Sequence, residues 1–241
     1  MTHQDSHGSP LPAGGPAAPV QRSGYLYWVA KVVLTPILTI AFRPKIRGVR
    51  NVPRNGPAIL ACNHVSDLDW LFLPLVVRTR RISFLAKLEY FTRPGLKGAA
   101  QRYFFTATGQ VPVDRSESDA ASAALRTAKR LLDEGRLVGI FPEGTRSRDG
   151  RLYRGRTGVA RLAAETGVPV IPCATVGVFD IAPPGTKVPR PRQIGVQFGP
   201  PMTWPAGRAA SPAALRAWTD ELMAVIQRLS GQEPAGVDAW G

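Results

Sequence analysis

The chain has 241 residues, which is enough for one sizeable domain or two small ones, and its hydrophobic fraction of 44% predicts a packed core. Its two cysteines, Cys62 and Cys173, lie in apolar runs, which argues against a disulfide framework and a zinc site and favours a reducing, cytosolic setting. A formal net charge of +14 favours an anionic partner such as phospholipid head groups, phosphorylated substrates or nucleic acid.

The N-terminal part of the chain divides into a polar tail and an apolar segment. Residues 1–24 are rich in Pro, Gly, Ser and Ala and predict a disordered tail. Residues 25–42 are the most hydrophobic stretch, interrupted by Lys31 and Pro36. As a helix they would be roughly 27 Å long, just short of a bilayer core. The aromatic start and basic flanks predict a membrane-associating helical segment over residues 25–44, with a spanning helix and a buried core helix as alternatives.

Strands and helices alternate through the rest of the chain. Apolar runs bounded by turn residues predict strands at 45–51, 58–62, 82–86, 110–113, 137–141, 168–176 and 193–198. Helices are expected at 68–77, 95–105, 116–134, 157–166 and from the Ser211-Pro212 cap onward. This order predicts one α/β domain over 45–230, with a mixed, mostly parallel central sheet and helices on both faces. Residues 231–241 are expected to be a flexible tail.

One polar stretch, residues 63–69, directly follows the predicted strand at 58–62. His64 is the only histidine beyond residue 7, so proton transfer through an imidazole near neutral pH would depend on it. Asp67 and Asp69 follow within five residues. The alternative is a turn without chemistry. A thiol nucleophile at Cys62 is a further alternative, although a cysteine in an apolar strand is usually part of the core.

Three polar clusters follow predicted strands, and the carboxyl ends of parallel strands meet at one sheet edge. This topology brings His64 together with Arg115 and Arg146, whose forked guanidinium groups suit a phosphate. Gly144 permits close approach of the backbone, and Thr145 adds a hydroxyl donor. The sequence has no phosphate-binding loop of the Walker type, no dinucleotide-binding glycine motif and no nucleophile elbow.

Four ordered motifs in this chain resemble those of the glycerolipid acyltransferase family, which includes the 1-acylglycerol-3-phosphate (lysophosphatidic acid) acyltransferases. They are His64 with Asp69 five residues later, the run 111–115, the Phe-Pro-Glu-Gly-Thr-Arg-Ser run at 141–147, and the run 168–172. Lys87 and Glu89 also look like a family element. The resemblance covers roughly residues 25–205, and the run at 141–147 is its most specific part.

The resemblance implies transfer of a fatty acyl group from acyl-CoA or acyl-carrier protein to a hydroxyl of a phosphorylated glycerol. His64 would be the general base and Asp69 would orient its imidazole. The acceptor would be held by Arg115, Glu143, Gly144 and Arg146, with Lys87 and Thr145 as further candidate contacts. The alternatives are ion pairs of the two arginines with neighbouring carboxylates, a role of Glu143 in the loop itself, and a solvated charge at Lys87. A thioester is already activated, so the chemistry is expected to need no cofactor or metal.

The implied setting is the cytoplasmic face of the cell membrane, with the enzyme bound as a peripheral or monotopic protein. The acceptor is expected to be 1-acylglycerol-3-phosphate, and the alternatives are glycerol-3-phosphate, another lysophospholipid or another alcohol. Two other classes remain: an inactive membrane-surface protein and a basic nucleic-acid-binding protein. No nucleic-acid-binding signature accompanies the charge, so nucleic acid is not expected as a partner.

The spacing of His64 and Asp69 sets a geometric condition. In a regular helix, residues five apart lie about 140° apart around the axis, so their side chains would not meet. The pair can meet only if His64 lies in the turn before the helix. Ser66 or Asp67 is expected to cap that helix, which leaves Asp69 as the partner of His64.

Overall fold

A computed structural model describes residues 24–113, 120–186 and 188–239. Seven strands form one sheet in the order β1-β7-β6-β2-β5-β3-β4. The strands are β1 (Lys45–Arg47), β2 (Ala58–Cys62), β3 (Ile82–Lys87), β4 (Gln110–Val113), β5 (Leu137–Ile140), β6 (Val170–Val176) and β7 (Gly195–Phe198).

All neighbouring strands are parallel except β6 and β7, which are antiparallel. The predicted mixed, mostly parallel sheet is therefore confirmed. The edge strand β1 is exposed along its three residues, two of which are basic. A short, charged edge of this kind discourages pairing with other chains.

Eight helices accompany the strands within the described residues. They are α1 (Gly24–Phe42), α2 (Asp69–Val76), α3 (Glu89–Thr92), α4 (Gly95–Ala107), α5 (Ala120–Asp133), α6 (Gly158–Thr166), α7 (Val178–Ile181) and α8 (Pro212–Ser230). A 3₁₀ turn at Val49–Asn51 shortens the strand predicted at 45–51, and the short helix α7 has no counterpart among the predicted helices.

Two hydrophobic cores pack on opposite faces of the sheet. Residues of α1, α2 and α7 cover one face, and residues of α5, α6 and α8 cover the other. The central strand β2 is fully buried and serves both cores, since Leu60 and Cys62 point to the first and Ile59 and Ala61 to the second. Because successive side chains alternate between two buried faces of the sheet, every position of the strand is apolar.

Helix α1 is anchored to the domain by two polar side chains on its inner face. The backbone N–H of Ile82 donates to the Tyr27 hydroxyl at 3.4 Å. Lys31 Nζ donates to the Val77 carbonyl at 2.5 Å, at the C-terminal end of α2, where a cation is favourable. None of the helices in the described ranges has the length and apolar character needed to cross a bilayer.

The C-terminal part of the chain contains the predicted helix α8 and a segment after it that bonds to the domain. The Ser211 hydroxyl accepts from the Ala214 N–H at 3.2 Å, so the predicted cap is confirmed. Residues 231–239, which belong to the predicted flexible tail, bond to the segment 152–154, as in the Leu152 N–H to Glu233 carbonyl bond of 2.9 Å. The domain boundaries themselves stay a prediction.

We expect Gly139→Ala to lower the free energy of unfolding by about 1 to 3 kcal/mol, because overpacking a close-fitted site is destabilising. A Cβ at this position in β5 would lie 2.3 Å from the ring of Phe84 on the neighbouring strand. Urea denaturation followed by circular dichroism measures the change.

Gly158→Ala is the matched control, since its Cβ would meet a Leu125 methyl at 3.1 Å and that side chain can shift. Its unfolding free energy should stay within about 1 kcal/mol of wild type. Equal stability of both variants would contradict the close packing at Gly139.

Candidate active site

The segment between β2 and α2 holds the predicted base and its partner. His64 lies in the turn after β2, and α2 begins at Asp69. His64 Nδ1 is 3.0 Å from Asp69 Oδ2, and the Asp69 side chain is fully buried. The condition set by the five-residue spacing is met, because the chain between the two residues is not helical.

The prediction that Ser66 or Asp67 is the N-cap of α2 is wrong. Leu68 occupies the N-cap position of α2 and makes no side-chain capping bond. The Asp69 carboxylate itself accepts the backbone N–H groups of Val65 and Ser66, at 2.7 and 2.8 Å. Asp67 faces outward and forms an ion pair with Arg146. Asp69 therefore shapes the turn as well as orienting the imidazole.

Aromatic rings support the imidazole from one side. The ring of Phe141 stacks on His64 with centroids 3.9 Å apart and planes 13° apart, and Phe84 stacks behind Phe141. The His64 side chain keeps 17% of its surface exposed. Among the described residues its Nε2 atom has no hydrogen-bond partner. Because Nδ1 faces Asp69, Nε2 is the imidazole nitrogen left to exchange a proton with a ligand.

Glu143 holds the backbone of the site. Its two carboxylate oxygens accept the N–H groups of His64 and Tyr153, at 2.8 and 2.9 Å, and the residue is 1% exposed. Burial raises the pKa of Glu143 to about 7, against the effect of these two N–H donors. The Ser147 N–H also donates to the His64 carbonyl at 2.7 Å. Both oxygens of Glu143 thus fasten the loop to its surroundings, and the acceptor contact expected of Glu143 stays a prediction.

The rest of this loop lines an open cleft of about 400 Å³. Thr145, Arg146, Arg148, Tyr153 and Ala239 form its walls. Gly144 has a φ angle of 76°, in the left-handed region, and a Cβ there would lie 3.0 Å from the Arg156 guanidinium. Two guanidinium groups beside a tight turn give the cleft the chemistry of an anion site.

The remaining candidates are Arg115, Lys87 and Cys62. Arg115 falls outside the described residues. Lys87 ends β3, where its backbone pairs with Val113 at the end of β4. Cys62 is fully buried beside Cys173, and burial raises the pKa of its thiol well above the usual value. It is a core residue. No group of three or more His, Cys, Asp or Glu in the described ranges could hold a metal ion.

Three polar residues of the site were missed by the sequence reasoning. The Thr175 hydroxyl donates to Asp69 Oδ1 at 2.9 Å. Asn63 Nδ2 donates to the Thr175 carbonyl at 3.0 Å and to Gln232 Oε1 at 2.7 Å. Only their positions in the sequence pointed to two of these residues. Thr175 follows a buried run on β6, and Asn63 directly precedes the histidine.

The acyltransferase family model matches residues 43–176, which is more than half of the chain. The chloroplastic 1-acyl-sn-glycerol-3-phosphate acyltransferase LPAT1 of Arabidopsis thaliana is 31% identical over 167 residues, which cover 69% of this chain and 45% of that protein. The 1-acyl-sn-glycerol-3-phosphate acyltransferase of Bacillus subtilis is 30% identical over 153 residues, which cover 63% of this chain and 72% of that protein.

The fold is also similar to a solved structure. The crystal structure of PlsC, the 1-acyl-sn-glycerophosphate (LPA) acyltransferase of Thermotoga maritima, matches with a TM-score of 0.61 and 25% identity, over 86% of this chain and 88% of that one. The chain spans about half the length of several plant relatives that it matches. The family match includes the His64 turn, the loop at 141–147 and β6. The chain therefore belongs to the acyltransferase family.

Proposed function

We propose that this protein transfers a fatty acyl group from a thioester, acyl-CoA or acyl-carrier protein, to the free hydroxyl of 1-acylglycerol-3-phosphate. The product is phosphatidic acid, an intermediate of phospholipid biosynthesis. The observation that carries the proposal is the buried Asp69 carboxylate 3.0 Å from His64 Nδ1. The loop that supplies the two arginines of the cleft is bonded to the same turn, through the Ser147 N–H and the His64 carbonyl. The names of the relatives support the same acceptor.

In the proposed reaction, His64 Nε2 takes the proton of the acceptor hydroxyl. At the same time the hydroxyl oxygen attacks the carbonyl carbon of the thioester. The imidazolium that forms is stabilised by the ionised Asp69 carboxylate on Nδ1. The carbon–sulfur bond then breaks, and the departing thiolate receives the proton from His64. The acyl group ends as an ester of the acceptor, and His64 returns to its starting state.

We assign the acceptor's phosphate to the cleft lined by Arg146 and Arg148, with the Thr145 hydroxyl as a further donor. Arg146 is already oriented by Asp67, so a phosphate would compete with one exposed carboxylate for it. Gly144 forms the tight turn that brings the loop close to the ligand. Arg115 and Lys87 remain in the proposal as further candidate contacts of the phosphate, and Lys87 ends β3 beside the last residue of β4.

We further propose that α1 and α4 bind the membrane surface, at the cytoplasmic face of the cell membrane. The outer side of α1 carries Val32 and Ile40, which are 73% and 78% exposed, and α4 carries Leu96, which is 91% exposed. Basic residues Arg93 and Lys97 are exposed and flank Leu96 in the sequence. Apolar side chains rimmed by cations suit the interface of an anionic bilayer.

Replacement of His64 by Ala should lower the rate of acyl transfer by about 100-fold or more, because general-base catalysis contributes on that scale. Thiol release from acyl-CoA, measured with a panel of acceptors, gives the rate and identifies the acceptor. The double variant His3→Ala/His7→Ala removes the other two histidines and should keep the wild-type rate. Transfer at the wild-type rate by His64→Ala would overturn the assigned base.

Replacement of Arg146 by Ala should raise the KM for a phosphorylated acceptor about tenfold, since a charge-assisted contact is lost, and leave the KM for acyl-CoA nearly unchanged. Steady-state kinetics with each substrate varied separately measures both constants. Arg208→Ala is the control, because the Arg208 guanidinium lies over the Trp204 ring and does not line the cleft; it should leave both KM values unchanged. An equal rise of both KM values in Arg146→Ala would contradict its role in phosphate binding.

The double variant Val32→Glu/Ile40→Glu should reduce co-sedimentation with anionic vesicles several-fold, because it puts charge on the proposed membrane face. The control Ala121→Glu/Ala217→Glu makes the same charge change on exposed positions of α5 and α8, on the other side of the sheet. Circular dichroism confirms that both variants fold. Unchanged sedimentation of the α1 variant would exclude this face as the membrane contact.

A further inference from the structure

Thr175 lies near the carboxyl end of β6 and contacts the partner of the base. The residue is 2% exposed, and its hydroxyl lies 2.9 Å from Asp69 Oδ1. A second acceptor, Asn63 Oδ1, is more distant at 3.3 Å and uncharged. The single hydroxyl proton of Thr175 therefore favours the Asp69 carboxylate, because that bond is shorter and charge-assisted.

The two oxygens of Asp69 are held very differently. Oδ2 accepts three bonds, from the Val65 and Ser66 N–H groups and from His64. Oδ1 accepts one bond in the described part of the chain, from Thr175. Without that hydroxyl, a buried carboxylate oxygen would lose its donor, and rotation of the carboxylate toward other donors would become favourable.

Thr175 is itself held rigidly by Asn63. The Thr175 N–H donates to Asn63 Oδ1 at 2.8 Å, and Asn63 Nδ2 donates to the Thr175 carbonyl at 3.0 Å. The amide thus pairs with both backbone groups of Thr175, as a neighbouring strand would. Asn63 directly precedes His64, so the hydroxyl is positioned by the same turn that carries the base.

We propose that Thr175 is a positioning residue for His64. Its hydroxyl fixes the Asp69 carboxylate in the orientation that receives the Nδ1 proton, which keeps Nε2 free to accept the proton of the substrate hydroxyl. The contribution of Thr175 to catalysis rests on the proposed function. Its effect on which nitrogen of His64 carries the proton does not require substrate.

The test combines a tautomer measurement with kinetics. The full chain carries His3→Gln and His7→Gln, so that His64 is the only imidazole, and is labelled with ¹⁵N. Spectra at about pH 9, where an ordinary imidazole is neutral, report which ring nitrogen bears the proton. Wild-type Thr175 should give the Nδ1–H form. Thr175→Val should populate the Nε2–H form and lower kcat about tenfold with little change in KM.

Thr175→Ser keeps the hydroxyl and should restore both the Nδ1–H form and kcat. Thr219→Val is the matched control, since it removes another fully buried hydroxyl, which donates to the Leu215 carbonyl at 2.7 Å within α8. It should leave the tautomer unchanged. If Thr175→Val does not fold, Thr175→Cys, a weaker donor, is measured in its place.

An unchanged Nδ1–H form in Thr175→Val would overturn the positioning role, whatever the rate. A change of equal size in Thr219→Val would overturn it as well, because the effect would then follow any loss of a buried hydroxyl. If wild type transfers no acyl group to any acceptor, the proposed function fails, while the tautomer spectra still decide the role of Thr175.

Discussion

A buried carboxylate is the constraint on which the active edge of this sheet depends. Asp69 is fully removed from solvent, and an ionised group in such a place is costly unless it is well hydrogen-bonded. Its donors come from two parts of the fold, the turn after β2 and the end of β6. Both parts must therefore be in place before the carboxylate is satisfied, which links the conformation of the turn to the pairing of the two strands.

Most of the fold could be predicted from the chain because its elements are locally encoded. The buried strand at 58–62, the strand at 110–113 and the Ser211 cap agree with the structure, since hydrophobic runs and capping residues act within a few positions. The cap of α2 was missed for a physical reason. Capping preference favours a polar residue before the helix, whereas here Asp69 at the first helical position turns back to bond the preceding N–H groups.

The site was predictable only where one residue type was rare or one motif was specific. His64 stood out because the chain has a single histidine beyond its tail, and the loop at 141–147 stood out by its order of residues. Thr175 could not be found in this way, since it meets Asp69 across 106 residues of sequence and owes its place to strand pairing. Glu143 was recognised by its motif, but the sequence left open whether it serves the loop or the acceptor, because the backbone bonds that it accepts depend on burial.

The base and the cleft are parts of one unit, and this follows from how the two loops are joined. The Glu143 carboxylate receives the His64 N–H, the Ser147 N–H returns to the His64 carbonyl, and Arg146 pairs with Asp67. The first two bonds are made by buried atoms of the loop itself, while the third is exposed and exchangeable. A ligand in the cleft can thus take Arg146 from Asp67 without loosening the backbone bonds at His64. Under the proposed function, such a division would keep the imidazole in place while the acceptor fills the cleft, which is the condition that a base needs when its substrate is held by another loop.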